Sequence, residues 1–470
     1  MSGLPDPFLY MAQADDFWKH AQALHLEGGL DEAEALYVQL LEQNHSNSGL
    51  MATLGSLYLQ KQRWGLAIHF LEEAISSGLK QSDVYSNLGL SYKQSGQIER
   101  AKRCFEESIK DDPSAEALAN YSGMFIEAGE NEKCIDLCER AIANNPELPI
   151  SHWNLAIALL SDGVWERAWD EHEWGLKLPK LRENRAIVDV PIWDGPEKSP
   201  GKTVLIYGEQ GLGDEIMFTS MLPDVLKTNK VIYECHKRLL TLFKGSFPEV
   251  HFYGTREDRE IYWASNHKID CRIPVGSLGQ FYRRSRQAFP GTPYLKAKPF
   301  PKGNKFRVGI SWVGGGAKLG RVQKRSVPLT WWKSILDVKD VEFVSLQYTN
   351  SQEDIDLMAA LGYDIKNVDA LVKAGDYYET ARLVASCDLV ISVCTSVVHL
   401  AGALGVPCWV MTPKYPAWRY QNSGGMPFYK SVRLYRSPDV KQDAWLAVIE
   451  RIAFDLSELL AGHSNVRKIG

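Results

Sequence analysis

TVLIYGEQGLGDEIMF, residues 203–218, sets an apolar run against a glycine-rich turn and then a stretch of helical character. A short run of β-branched and aromatic residues closed by glycine reads as a buried strand that delivers the chain into a turn at its carboxyl end. Ligands collect at that end in parallel α/β sheets. The nearest dinucleotide fingerprint would be Gly211-Leu212-Gly213-Asp214-Glu215-Ile216, with Glu234 as the ribose acid. Ile216 stands where a third glycine lets helix approach strand, and Asp214 and Glu215 put negative charge where a pyrophosphate would rest. Two readings of Asp214 stay open: a helix cap, or a carboxylate raised by a glycine turn to act as a general base. Gln210, Gly211 and Gly213 join it as cleft candidates.

Outward from this turn, strands and helices alternate. VIYEC and VHFYG read as further strands, with IMFTSMLPDVLK and KRLLTLFKG as the helices between them. After the proline-dotted stretch QAFPGTPYLKAKPFPKGNK a second series begins, with FRVGISW, VEFVSLQY, DLVISV and PCWVM as strands. Two Rossmann-like lobes follow, over 203–300 and 301–470. A proline- and glycine-bearing linker, 176–202, precedes them.

The chain before the linker is a repeat. Ala33, Ala67, Ala101 and Cys134 recur at a period of about 34, and Tyr37, Leu71, Phe105 and Cys138 keep the same register. Small residues at helix crossings, turn glycines and closing prolines give the tetratricopeptide pattern, in about five helix pairs over 14–175. Cys134 and Cys138 lie one helical turn apart, as metal ligands would, yet occupy packing positions of the repeat. His152, Trp153 and Trp165 are likewise read as packing residues. Such an array offers a groove for an extended partner segment.

Composition sharpens the division. Residues 1–175 carry 12 Lys and Arg against 28 Asp and Glu, whereas the rest carries 41 against 30. An acidic first part argues against nucleic acid, and a basic second part suits a phosphorylated ligand. The longest apolar runs are too short for a membrane span and no signal-peptide pattern opens the chain. A cytoplasmic location with eight reduced cysteines is expected.

The second lobe supplies the complement to Asp214. In ISVCTSVVHLAGALGVP a strand gives way to Thr395 and Ser396, which cap a helix whose free N–H groups form an anion site. His399, one turn on, points to the same place. Gly314, Gly315 and Gly316 form a loop suited to wrapping phosphates, with Arg321, Lys324 and Arg325 following; Arg325 is placed to neutralise a leaving diphosphate. Arg419, between Trp418 and Tyr420, is a further cleft candidate. The one DxD, Asp354-Ile355-Asp356, reads as helix surface, and no metal is expected.

GEQGLGDEIMF, GISWVGGG, RSVPL, SLQY and DLVISVCTSVVHLAGALG together resemble the family 9, heptosyltransferase-like glycosyltransferases of GT-B fold. The repeats and the PIWDG joint at 191–195 are similar to bacterial tetratricopeptide-repeat glycosyltransferases. The resemblance implies an inverting, metal-independent transfer from a nucleotide sugar, which is a substrate, and no cofactor. It implies Asp214 as base, and Thr395, Ser396, His399 and Arg325 as donor-phosphate contacts. Cys394 departs from the aspartate usual in heptosyltransferases. The expected architecture is α + α/β: an N-terminal tetratricopeptide solenoid, then a GT-B fold with an acceptor-side and a donor-side lobe. The acceptor is read as Ser or Thr of a protein held by the repeats. A transferase acting on a cell-surface glycan, or a non-enzymatic adaptor with degenerate lobes, are the alternatives.

Overall fold

The computed structural model describes residues 7–178, 181–182, 188–258, 261–314, 325–347, 352–367 and 375–467, with side chains between 16 and 462. The chain divides into two compact units, Met1–Leu155 and Ala156–Gly470.

The first unit is built of antiparallel helix pairs: α1 (Pro7–Glu27) with α2 (Leu30–Gln43), α3 (Ser48–Gln60) with α4 (Trp64–Ser76), α5 (Ser82–Gln94) with α6 (Ile98–Ser108), and α7 (Ala115–Ala128) with α8 (Asn131–Asn144). Helix α9 (Pro149–Asp162) crosses into the second unit, where α10 (Trp165–His172) follows. The repeat register is the packing register: Ala33, Ala67, Ala101 and Cys134 are fully buried, as are Tyr37, Leu71, Phe105 and Cys138. Small residues are needed where helices cross. A Cβ on Gly55 would lie 2.5 Å from Leu71, and one on Gly89 would lie 3.0 Å from Phe105. Cys134 and Cys138 sit in these packing seats with sulfurs 3.9 Å apart. That contact, then burial, pushes the Cys134 thiol well up, so it stays protonated.

The second unit holds two parallel sheets. The first contains β1 (Thr203–Tyr207), β2 (Lys230–Glu234), β3 (His251–Tyr253) and β4 (Cys271–Pro274), in the order β3-β2-β1-β4. The second contains β5 (Phe306–Ser311), β6 (Val341–Ser345), β7 (Ile365–Lys366), β8 (Leu389–Val393), β9 (Cys408–Thr412) and β10 (Val432–Arg436), in the order β10-β9-β8-β5-β6-β7. Strand order reverses beside β1 in the first sheet and between β5 and β8 in the second. Crevices open at such reversals. They fall at the carboxyl ends that carry the 208–214 turn, Gly314, and Thr395.

Helices α11 (Leu212–Thr219), α12 (Leu222–Val225), α13 (Leu240–Ser246) and α14 (Gly279–Tyr282) accompany the first sheet. Helices α15 (Lys333–Leu336), α16 (Gln352–Ala360), α17 (Tyr377–Ala385), α18 (Ser396–Leu404) and α19 (Trp445–Arg467) accompany the second. The second sheet's core is apolar and aromatic, including Ile310, Trp312, Trp332, Ile391 and Ile452. The stretch read as one helix, IMFTSMLPDVLK, is broken at Ser220-Met221, and Pro223, which has no N–H to donate, starts the second piece. Within 176–202, Arg182 and Trp193 are buried, and Ile192 bridges in parallel to Arg272 of β4. Arg182, Ile192 and Trp193 therefore belong to the α/β unit. No helix among the described residues is long and apolar enough to cross a membrane.

Candidate functional site

The turn after β1 is pinned from both sides by its own acids. Glu215 folds back beneath Gly208, where a Cβ would lie 2.5 Å from its carboxylate. It accepts hydrogen bonds from the His236 amide (3.0 Å) and Arg256 Nη1 (2.9 Å). Burial outweighs Arg256 and pushes its carboxyl up to about 7. Glu209 turns the other way and accepts from Arg182 Nε (2.7 Å), Arg182 Nη2 (2.8 Å) and the Gly276 amide (3.0 Å). Arg182, fully buried, also donates to Glu173 (2.9 Å), to the His172 carbonyl (3.0 Å) and to Ser277 (2.8 Å). Burial opposes the charge on Glu173, but Arg182 and then His172 overcome it and hold this carboxyl at about 2.

Between these anchors, α11 starts with Gly211 in extended geometry as its N-cap and no side-chain cap bond. Asp214 is therefore not the cap, and that reading falls. Its carboxylate instead accepts a hydrogen bond from Arg419 Nη2, and both side chains keep partial exposure. Glu234 is fully buried and accepts from Thr255, which removes it as a ribose acid.

Arg419 belongs to the other lobe, on the short turn Trp418–Tyr420 after β9. That turn is held hard. Arg436 donates to the carbonyls of Gln421 (2.7 Å), Tyr420 (2.9 Å) and Gly424 (3.0 Å). Gln421 has φ 57° and ψ 159°, a left-handed conformation costly for any side chain but glycine. Its side chain donates to the carbonyls of Leu160 (2.6 Å) and Trp418 (3.0 Å), which fixes it there.

Beside Arg419 begins α18. Thr395 is its N-cap, with its hydroxyl accepting from the Val397 amide (3.3 Å). The Ser396 hydroxyl accepts from Tyr377 (2.8 Å). A Cβ on Gly213 would lie 3.1 Å from His399 Cδ2 and 3.3 Å from Ser396 Cα, so the glycine is what lets the two lobes touch. His399 is buried, its Nδ1 3.4 Å from the Tyr429 hydroxyl. Burial, then Arg419, holds its basicity far down, so the ring is neutral and contributes no cation. Cys394 is buried and its thiol is pushed up to about 11 by burial. The charge of Arg325 is felt at Cys394 and Tyr420. Gly314, whose amide donates to Ser326 (3.1 Å), abuts Arg325. Gly315, Gly316, Arg321 and Lys324 lie outside the described residues.

The structure thus brings Asp214 and Gly213 of one lobe against Arg419, Ser396 and His399 of the other, while Gly211 has Asp214 as its neighbour. Gln210 faces a pocket of ≈ 470 Å³ in the first lobe, shared with Leu212, His236, Arg238 and Arg256. Asp354 accepts from the Trp312 indole (2.7 Å) and Asp356 from Gln352 (2.7 Å), so each carboxylate already has a protein partner. Arg182, Arg256, Arg436 and Gln421 escaped sequence reading. None lies in a spaced motif, and only their partners, distant in the chain, give them a role.

Residues 82–115 match the family model described as tetratricopeptide repeat. The chain is similar to Protein FlbA of Caulobacter vibrioides, 27% identical over 430 residues, covering 84% of this chain and 70% of that protein. It is also similar to the Vi polysaccharide export protein VexE of Salmonella typhi, 32% identical over 110 residues, 22% of this chain and 17% of that protein. Among solved structures, a mutant O-GlcNAc transferase of Thermobaculum terrenum aligns over 97% of this chain and 93% of its own, at 12% identity and a TM-score of 0.30. The chain is an array of antiparallel helix pairs, one of which matches the tetratricopeptide-repeat model, followed by two α/β lobes with parallel sheets.

Proposed function

We propose that this chain is an inverting glycosyltransferase that moves a sugar from a nucleotide-sugar donor to an acceptor hydroxyl. One observation carries the reading: the Asp214 carboxylate meets Arg419 at the junction of the lobes, next to the N-terminus of α18. A base, a cation and a helix start that favours anions are then within one crevice.

In the proposed reaction the donor diphosphate lies toward the second lobe, near Arg325, Gly314 and the first turn of α18. The acceptor hydroxyl lies against Asp214. As its oxygen attacks the anomeric carbon from the face opposite the diphosphate, its proton passes to Asp214 and the carbon–oxygen bond to phosphate breaks. The anomeric centre inverts. Charge developing on the departing nucleoside diphosphate is met by Arg325 and by Arg419, which leaves Asp214 for the incoming anion. Gly213 keeps the carboxylate close enough for this to be one concerted site. The acceptor we favour is a Ser or Thr hydroxyl on a polypeptide held by the repeat array, since arrays of this kind bind extended segments.

The test is binding and turnover of a panel of nucleotide sugars by the full chain and by Asp214→Asn. We expect donor binding to be kept or tightened, since Arg419 is freed from the carboxylate, and transfer to fall by about 10²–10⁴. Undiminished transfer in the variant would remove Asp214 as base. A wild-type chain that binds no nucleotide sugar would favour a non-enzymatic adaptor.

A further inference from the structure

By spacing, α10 is the last helix of the repeat array, yet its side chains are core residues of the α/β unit. Trp169 is fully buried and its indole N–H donates to the Arg283 carbonyl (2.8 Å) in the first lobe. Its ring meets Phe218, one turn beyond Asp214 on α11, at 6.4 Å between centroids. It meets Trp418, which directly precedes Arg419 in the second lobe, edge-on at 5.9 Å. Phe218 and Trp418 also stack on each other at 6.2 Å. The indole has no slack: a Cβ on Gly279 would lie 2.6 Å from it. Around it, the same helix pair holds both lobes by hydrogen bonds. Asp170 accepts from Arg284 at 2.8 and 3.1 Å. The Ser161 carbonyl accepts from the Asn422 amide (3.1 Å), and the Leu160 carbonyl accepts from the strained Gln421.

We propose that the end of α9 and α10 form a brace across the two lobes, and that Trp169 is a positioning residue setting the distance between Asp214 and Arg419. This deepens the transferase reading and rests on it for its catalytic meaning, since Trp169 itself faces no reacting group. The physical basis is close packing: one rigid ring touches both the helix bearing the carboxylate and the turn bearing the guanidinium, so neither moves without the other. A misplacement of about 1 Å at such a pair costs up to about a hundredfold in rate.

Two measurements test it on the full chain. Hydrogen exchange, which needs no turnover, is read on Trp169→Leu. Peptides over 208–219 and 413–424 are expected to lose protection together, by about tenfold or more, while those over 306–311 and 389–393 keep theirs. Unchanged exchange in the two segments overturns the brace. Should the variant exchange fast throughout, Trp169→Phe decides on the same peptides, and an effect outside them but not within them overturns it. The second measurement is a double-mutant cycle on transfer with Arg419→Ala. Trp169→Leu is expected to cost about tenfold in kcat in the wild-type background and under about twofold without Arg419. Equal costs in both backgrounds mean that Trp169 acts elsewhere. A chain that turns over no donor at all refutes the transferase reading, yet leaves the exchange result to stand or fall by itself.

Discussion

Removing the guanidinium of Arg182 isolates the strongest electrostatic element under the candidate site. Arg182→Met keeps most of the volume but strips the charge that bridges Glu209 and Glu173. Breaking a buried ion pair from one side costs about 3–5 kcal/mol. Linkage gives an independent figure of the same size. Glu173 stands at about 2 in the native chain against an ordinary 4.5, and that difference corresponds to about 3 kcal/mol. Because the native value is depressed, this contribution is present above pH 4.5 and is lost as pH falls toward 2. In the variant the sign reverses, for an unpaired buried carboxyl titrates above its ordinary value and destabilises the fold as pH rises past 4.5. The difference between the two proteins therefore widens from pH 5 to pH 8. Urea unfolding followed by tryptophan fluorescence reads the right unit, since only Trp18, Trp64 and Trp153 of the 14 tryptophans lie before residue 156. A loss under about 1 kcal/mol at pH 7, or one that is the same at pH 5 and pH 8, would refute the reasoning.

Two further outcomes follow from the same turn. Gly213→Ala gains about 1 kcal/mol of helix propensity but loses about 1–3 kcal/mol to overpacking against His399 and Ser396. The melting temperature is expected to fall by only a few degrees, whereas transfer falls about tenfold because the lobes are wedged apart at Asp214; a fully active variant would show that the contact is not needed. Glu215, raised to about 7 by burial, makes the native chain lose stability as pH rises from 4.5 through 7. Glu215→Gln is expected to flatten that part of the stability profile, and an unchanged slope in urea titrations at pH 5, 6, 7 and 8 would remove Glu215 as its source.

Periodicity made the architecture readable. A small residue recurring every 34 positions has one physical cause, a helix crossing, and Ala33, Ala67, Ala101 and Cys134 all proved buried. Long apolar strands announced themselves in the same way, whereas β7, with two residues, and β4, which ends in Pro274, carried too little pattern to be seen. Asp214 and Arg419 were each visible as candidates, but their pairing was not, because 205 positions separate them and no local rule links them. The charge state of His399 is set by its surroundings rather than by its motif. A histidine beside an anion-binding helix start suggests a cation, yet burial against Tyr429 and Arg419 keeps the ring neutral.

The neutral His399 bears on how the crevice handles charge. If it were cationic, Arg325, Arg419 and His399 would crowd one helix start and repel one another. With the ring neutral, the cation nearest Asp214 is Arg419, and that ion pair keeps the junction balanced before any ligand arrives. In the proposed reaction an incoming diphosphate would compete with a carboxylate for one guanidinium, its higher charge favouring it. With the arginine turned to the phosphate, Asp214 would be left as an unpaired carboxylate beside the acceptor hydroxyl of the proposed reaction. Base activation would in this way be tied to occupancy of the donor side, which limits proton abstraction to the moments when there is a sugar to transfer.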